Sequence, residues 1–147
     1  MGKTANYVIT ILQTLLGPCE REKRFPWALG DVSPTTHRAM PLPFDAVWES
    51  RKLIVEIDED QHGEATPLFD KPNRLTVSGV HRGEQRRIYD ARKRDTAIAN
   101  GYLIVRVPWS RRRRQAQGDT EEIRTVLEDA GIQPAPLTSV RTVYPLA

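Results

Sequence analysis

Two short runs rich in β-forming residues carry the acids best placed to do chemistry: Phe44-Asp-Ala-Val-Trp48 and Leu53-Ile-Val-Glu-Ile-Asp58, separated by Glu49-Ser50-Arg51-Lys52. Runs of this kind at this separation predict an antiparallel hairpin. A two-residue turn at Ser50-Arg51 pairs Glu49 with Lys52 and sets Asp45 opposite Glu56. Opposed residues share a face with Cβ atoms about 4.5–5.5 Å apart, and Asp58, two positions on, is a diagonal neighbour there. Three carboxylates then converge, while Leu53, Val55 and Ile57 on the other face are set to pack on a helix. Facing like charges destabilise a sheet, so such a cluster asks for compensation. A hard divalent cation supplies it: Mg²⁺, or Mn²⁺ in its place, takes one or two carboxylates together with waters and substrate phosphates. The plain alternative is a solvated sheet face whose acids pair with nearby Arg and Lys. Asp and Glu are depleted in strands, and here Glu56 and Asp58 interrupt an otherwise apolar run. The convergence depends on register, because a slip of one residue would send Asp45 to the opposite face.

Other reactive groups flank this pair. His62 sits just beyond the second run in Asp58-Glu-Asp-Gln-His62-Gly63, a polar turn where an imidazole can ligate a metal, act as general base or simply be solvated. His37 and His81 have no comparable setting. Asp90 and Lys93 lie one helical turn apart, the spacing of an i to i+3 ion pair or of two groups aimed at one site. Arg86, Arg87, Arg92 and Arg94 on the same segment suit phosphate contacts. Arg111, Arg112, Arg113 and Arg114 follow a Pro-Trp stop and read as an exposed basic arm. Trp27, Trp48 and Trp109 read as core or staple residues, and Cys19, the single cysteine, excludes an internal disulfide and a multi-cysteine metal site.

The overall charge conceals a division. The chain's 147 residues sum to +3, yet residues 1–81 carry a net of −2 and residues 82–147 a net of +5. Residues 82–114 alone hold 11 basic and 3 acidic side chains. That block is the footprint expected of contacts to a phosphate backbone, where each neutralised phosphate releases a counterion; the alternative is a solvated helix face and a basic loop. No apolar run approaches the length of a membrane span and no secretory signal opens the chain, so the expectation is a soluble, cytoplasmic protein with no membrane partner.

The elements that must position these groups follow from periodicity and punctuation. Residues 4–16 form an amphipathic helix through Val8, Ile11, Leu12, Leu15 and Leu16, stopped by Gly17-Pro18. Residues 20–25 make a short edge strand closed by Pro26-Trp27, and three prolines and a glycine mark residues 28–43 as loop. After the hairpin comes a long loop over 59–83, then a helix over 84–100 with a thin stripe of Ile88, Ala91, Ile98 and Tyr89, ended by Asn100-Gly101. Residues 102–107 are a buried-type strand, and Gly118-Asp119-Thr120 caps a helix over 121–130. The order α, β, ββ, α, β, α predicts a small α/β or α+β domain round a mixed central sheet flanked by helices, spanning residues 1–133, with an extended Pro-containing tail over 134–147.

Taken together, Pro43-Phe44-Asp45, Leu53-Ile-Val-Glu56-Ile-Asp58-Glu-Asp-Gln61-His62, Asp90-Ala-Arg-Lys93 and Asn100-Gly101-Tyr102-Leu-Ile-Val-Arg106 resemble the PD-(D/E)XK nuclease superfamily. The likeness covers roughly residues 20–107 and is greatest to the branch of very-short-patch-repair-type endonucleases, DUF559-type proteins and phage-associated EDxHD homing endonucleases. It implies a restriction-endonuclease-like core and Mg²⁺-dependent cleavage of double-stranded DNA in a prokaryotic or phage-infected cell. Asp45 matches the first aspartate and Glu56 the (D/E) position, both metal ligands, with Asp58 where the superfamily has lysine. That departure leaves His62 or Lys93 to supply the missing function. His62 matches the histidine of the EDxHD pattern and Asp90 its final aspartate, which would orient the histidine or complete the metal shell. For the first glutamate the choice lies between Glu20 and Glu22, with Glu22 preferred. Cutting both strands with so small a chain would call for a homodimer. Two other functions fit the same residues: a non-catalytic nucleic-acid-binding module on this fold, and a hydrolase of a small substrate.

Overall fold

Four strands, adjacent in chain order, form one sheet in the computed structural model, which describes residues 2–59, 82–110 and 115–134. Along the chain the described elements are α1 (Lys3–Leu16), β1 (Glu20–Leu29), β2 (Pro41–Trp48), a 3-10 turn (Glu49–Arg51), β3 (Leu53–Glu59), α2 (Arg82–Ala99), β4 (Leu103–Trp109) and α3 (Ala116–Asp129). β1 pairs antiparallel with β2 and β2 antiparallel with β3, whereas β3 pairs parallel with β4, so the sheet is mixed and the fold α+β. The described residues fall into two compact units, Glu20–Ser110 and a second containing α1 and α3.

In the second unit, α1 buries Val8, Ile11, Leu12, Leu15 and Leu16, the apolar stripe its spacing requires. It contacts α3, where Tyr7 Oη donates to Asp119 Oδ2 at 2.6 Å. Asp119 also accepts from the Gln115 N–H at 3.1 Å, so α3 begins at Ala116 and not after residue 120 as expected. The aspartate caps from inside the first turn by reaching back.

The Glu20–Ser110 unit holds the sheet and α2. Its core gathers Phe25, Ala28, Phe44, Val47, Ile54, Ala97 and Tyr102, with Trp27 and Ile104 packed against them. Phe44 and Val47, both on β2, belong to this core on either side of Ala46 and Asp45. β1 runs on through Pro26 to Leu29, where a strand end was expected; as an edge strand it tolerates the missing N–H, and its register to β2 shifts between Arg24 and Leu29. β2 likewise starts three residues early, at Pro41. The 18-residue α2 crosses from β3 to its parallel neighbour and packs on β1 and β4. Gly101, with φ +85°, ends it, as the Asn100-Gly101 pair predicts. Ile88 and Ile98 are exposed, so the expected apolar stripe is not the buried face of α2. Ala97 is buried, and the rest of that face belongs to the site. Among the described residues no helix is long and apolar enough to cross a membrane. The 60–81 part of the expected long loop and residues 135–147 of the expected tail lie outside the described residues.

Candidate functional site

The hairpin has the expected register: Ala46 pairs with Val55, Val47 with Ile54 and Trp48 with Leu53. Its connection is a 3-10 turn with Lys52 in the left-handed region, where a two-residue turn was expected; the pairing it imposes is the same. At the next position the ladder gives way to side chains. The Asp45 N–H donates to Glu56 Oε2 at 2.7 Å, and the Ile57 N–H donates to Asp45 Oδ2 at 2.8 Å. Each carboxylate is thus locked by the other strand's backbone, which fixes two like charges side by side.

Glu56 is buried, and desolvation is expensive for a carboxylate, on the order of several kcal/mol per ion. Burial pushes its carboxyl above the usual range; the Lys93 ammonium beside it pulls the other way, and the Asp45 charge adds to the rise. Lys93 reaches from α2 to donate to Glu56 Oε1, and its Nζ also lies 4.9 Å from the centroid of the Phe44 ring. The side chains of this pair are 11% and 5% exposed.

Around the pair opens a cavity of about 280 Å³. The sheet side contributes Leu42, Pro43, Asp45, Glu56, Ile57 and Arg106. From α2 come Gln85, Arg86, Tyr89, Asp90 and Lys93, positions whose spacing puts them on one face of the helix. A helix thus lies over the acid-bearing face of the hairpin, though one was expected only against Leu53, Val55 and Ile57, which are buried as well. Arg106 pairs in register with Glu56 across the parallel strands, and its Nη2 lies 3.3 Å from the Asp90 carbonyl oxygen and 3.7 Å from Asp90 Oδ1. Asp90 and Lys93 both line the cavity but do not form the i to i+3 pair their spacing allows. Each is matched with a charge on the sheet instead.

The fold draws α2 onto this site through a second set of contacts. Tyr89 Oη accepts from the Asp31 N–H at 2.9 Å, and Arg92 bridges Asp31 at 2.8 Å and the Leu29 carbonyl at 3.0 Å. A Cβ on Gly30 would lie 3.1 Å from Tyr89 Oη, which favours glycine there. Arg92, expected on phosphate, is therefore a tie between α2 and the β1–β2 connection.

Comparison with protein-family models, with curated proteins and with solved structures returns no match.

Of the expected site residues, Asp45, Glu56, Arg86, Asp90 and Lys93 meet at the cavity. Asp58 does not line it: alternation puts the residue on Glu56's face but about 7 Å further along the strand, opposite Pro108. Among the described residues no three acidic, histidine or cysteine side chains gather as a ligand set. Glu22 lies on β1 with φ +50° and does not line the cavity, and Glu20 pairs with Lys23 at 2.9 Å. Arg87 and Arg94 are exposed, Arg94 beside Asp95. His62 and Arg111, Arg112, Arg113 and Arg114 lie outside the described residues. Gln85 has no signal in the sequence, Tyr89 reads there only as part of an apolar stripe, and Arg106 reads only as the end of the segment 100–106. For Arg106 a signal exists, a charge inside the apolar run Leu103-Ile-Val-Arg-Val107, the same interruption that marks Glu56.

Proposed function

We propose that the protein is a metal-dependent endonuclease hydrolysing phosphodiester bonds in double-stranded DNA, with Mg²⁺ or Mn²⁺ as cofactor. The observation that carries this is the mutual locking of Asp45 and Glu56 beside a cavity that also presents Arg86, Lys93 and Arg106. The donor set would suit the ion: Asp45 and Glu56 each give one oxygen to the other strand's N–H, Lys93 sits on the second oxygen of Glu56, and phosphate and water would complete the shell. When bound, the metal supplies positive charge to the scissile phosphate and eases deprotonation of the attacking water.

The chain's own residues do the rest. Asp45 and Glu56 hold the cation, kept in place by the Ile57 and Asp45 N–H groups. With Asp58 at the strand position where the superfamily has lysine, Lys93, held on Glu56, would carry positive charge for the developing phosphate charge. Arg86 and Arg87 follow the phosphate backbone from α2, with Arg94 further along. A restriction-endonuclease-like arrangement of sheet and helix would account for all of these positions.

A second reading has one observation in its favour. Lys93 already compensates Glu56, so the acid is satisfied without a metal, as it would be in a non-catalytic DNA-binding module. Incubation of supercoiled plasmid with the purified chain, with Mg²⁺, with Mn²⁺ and with chelator, separates the two. An endonuclease nicks or linearises it only with metal; a module binds it and leaves it intact.

A further inference from the structure

We propose that the cavity is a phosphoryl-anion site whose main cation is Arg106, and that Asp90 is the positioning residue that holds Arg106, not a member of the metal shell. This rests on the nuclease reading and states how the substrate phosphate is gripped. Arg106 projects to the same face as Glu56, its register partner on β3, and lines the cavity. Its described contacts, to the carbonyl oxygen and carboxylate of Asp90, both use Nη2. Guanidinium is a planar fork of five donors, so anchoring one terminal nitrogen orients the plane.

Stability does not explain the pair. Both side chains are about one-third exposed, at 30% and 33%, and the ion-pair distance is 3.7 Å. Such pairs contribute little to folding. The place of Arg106 on the cavity lining suits an anion as a further ligand. The chemistry of the ligand follows from the neighbours: Asp45 and Glu56 repel any anion that arrives without a cation, whereas a phosphoryl group accompanied by a divalent ion meets both the carboxylates and the arginine. Leu42, Pro43 and Tyr89 supply an apolar wall for the sugar attached to that phosphate.

The test uses the full chain and two probes besides cleavage: inorganic phosphate titrated by calorimetry in Mg²⁺, and Mn²⁺ binding followed by electron paramagnetic resonance. Circular dichroism checks that each variant is folded. Arg106→Gln is expected to weaken phosphate binding about tenfold or more, and Arg106→Lys, which keeps the charge without the fork, to recover part of it. Asp90→Asn is expected to weaken phosphate binding in the parent but to add nothing in the Arg106→Gln background, with Mn²⁺ affinity held within about twofold throughout. Phosphate binding that is absent in the parent or indifferent to Arg106→Gln overturns the anion site. Loss of Mn²⁺ binding in Asp90→Asn, matching that in Asp45→Ala, overturns the positioning role and makes Asp90 a ligand. Arg106-dependent phosphate binding in a chain that cuts no DNA would sink the nuclease reading and leave the anion site standing.

Discussion

The Lys93 ammonium bridges two elements, resting on Glu56 Oε1 of β3 and 4.9 Å from the centroid of the Phe44 ring on β2. It joins the helix to the hairpin at the point where the backbone ladder yields to interlocked carboxylates. A buried acid, an adjacent acid and one cation make a site whose charge balance is sensitive to each member.

Removing that cation tests the balance through stability. Lys93→Met leaves Glu56 buried without its counter-charge and is expected to cost about 3–5 kcal/mol near neutral pH, measured by urea denaturation. The sign with pH follows from the Glu56 carboxyl, which burial already raises and which the variant raises further. A carboxyl raised in the folded state binds more protons there than in the unfolded chain. Its penalty is therefore absent below the unfolded value of 4.5 and grows as pH rises toward the folded value. The deficit of Lys93→Met relative to the parent should widen as pH rises above 4.5; a constant deficit would contradict the pair. Replacing both partners, Glu56→Gln with Lys93→Met, should bring stability back to within about 1–2 kcal/mol of the parent.

Tyr102 offers an independent check on the other end of the hairpin. Its Oη donates to both Glu49 carboxylate oxygens, at 2.9 Å to Oε2, while Lys23 lies 3.4 Å from Oε2. Desolvation first, then the bond to Glu49, pushes the phenol up to about 12, and the same bond holds the Glu49 carboxyl below its usual range. Stability from Tyr102 is present below its unfolded value of 10.0 and lost as pH rises through about 12. Stability from Glu49 is present above 4.5 and lost as pH falls through the depressed folded value. Tyr102→Phe should cost roughly 1 kcal/mol near neutral pH, a figure reduced for the partial exposure of Glu49, and the cost should shrink at both extremes. Ultraviolet titration of the parent should show one phenol ionising at about 12 and none there in the variant.

Salt dependence reports on phosphate contacts. Binding to a duplex should weaken linearly on a logarithmic salt scale. Replacing Arg86 or Arg87 by Ala should each reduce the slope by about 1, and replacing Arg111 through Arg114 together by about 3–4. Arg92→Ala should instead lower stability, because Arg92 is tied to Asp31 and Leu29, and should leave the slope near the parent value. An unchanged slope in the arginine-arm variant would remove that segment from the interface.

Much of the hairpin was legible because its signals are local: β-rich runs, a short connection and an alternation that fixes register. Asp45 opposite Glu56 followed from that register alone. Lys93 was legible through its spacing from Asp90 and as one of two candidates for the missing strand lysine, but its bond to Glu56 was not, since a helix-to-strand contact 37 residues apart leaves no mark in spacing. The inward face of α2 was misplaced for a physical reason. Hydrophobic periodicity finds the face that buries apolar area, and here Gln85, Arg86, Tyr89, Asp90 and Lys93 turn toward charges on the sheet while Ile88 and Ile98 face out. Arg106 was passed over although it breaks an apolar strand just as Glu56 does. The continuation of β1 through Pro26 was hidden by a rule that holds for central strands and relaxes at an edge.

The central claim, that Asp45 and Glu56 hold a metal for phosphodiester cleavage, is tested most directly by comparing the parent with Asp45→Ala on supercoiled plasmid in Mg²⁺. The parent should convert plasmid to nicked or linear form only with the metal. Asp45→Ala should lose at least about 100-fold in rate, as expected when a ligand of the catalytic ion is removed, while binding DNA with a similar salt slope. Equal cleavage by both proteins, or cleavage by the parent that survives full chelation, would contradict the account.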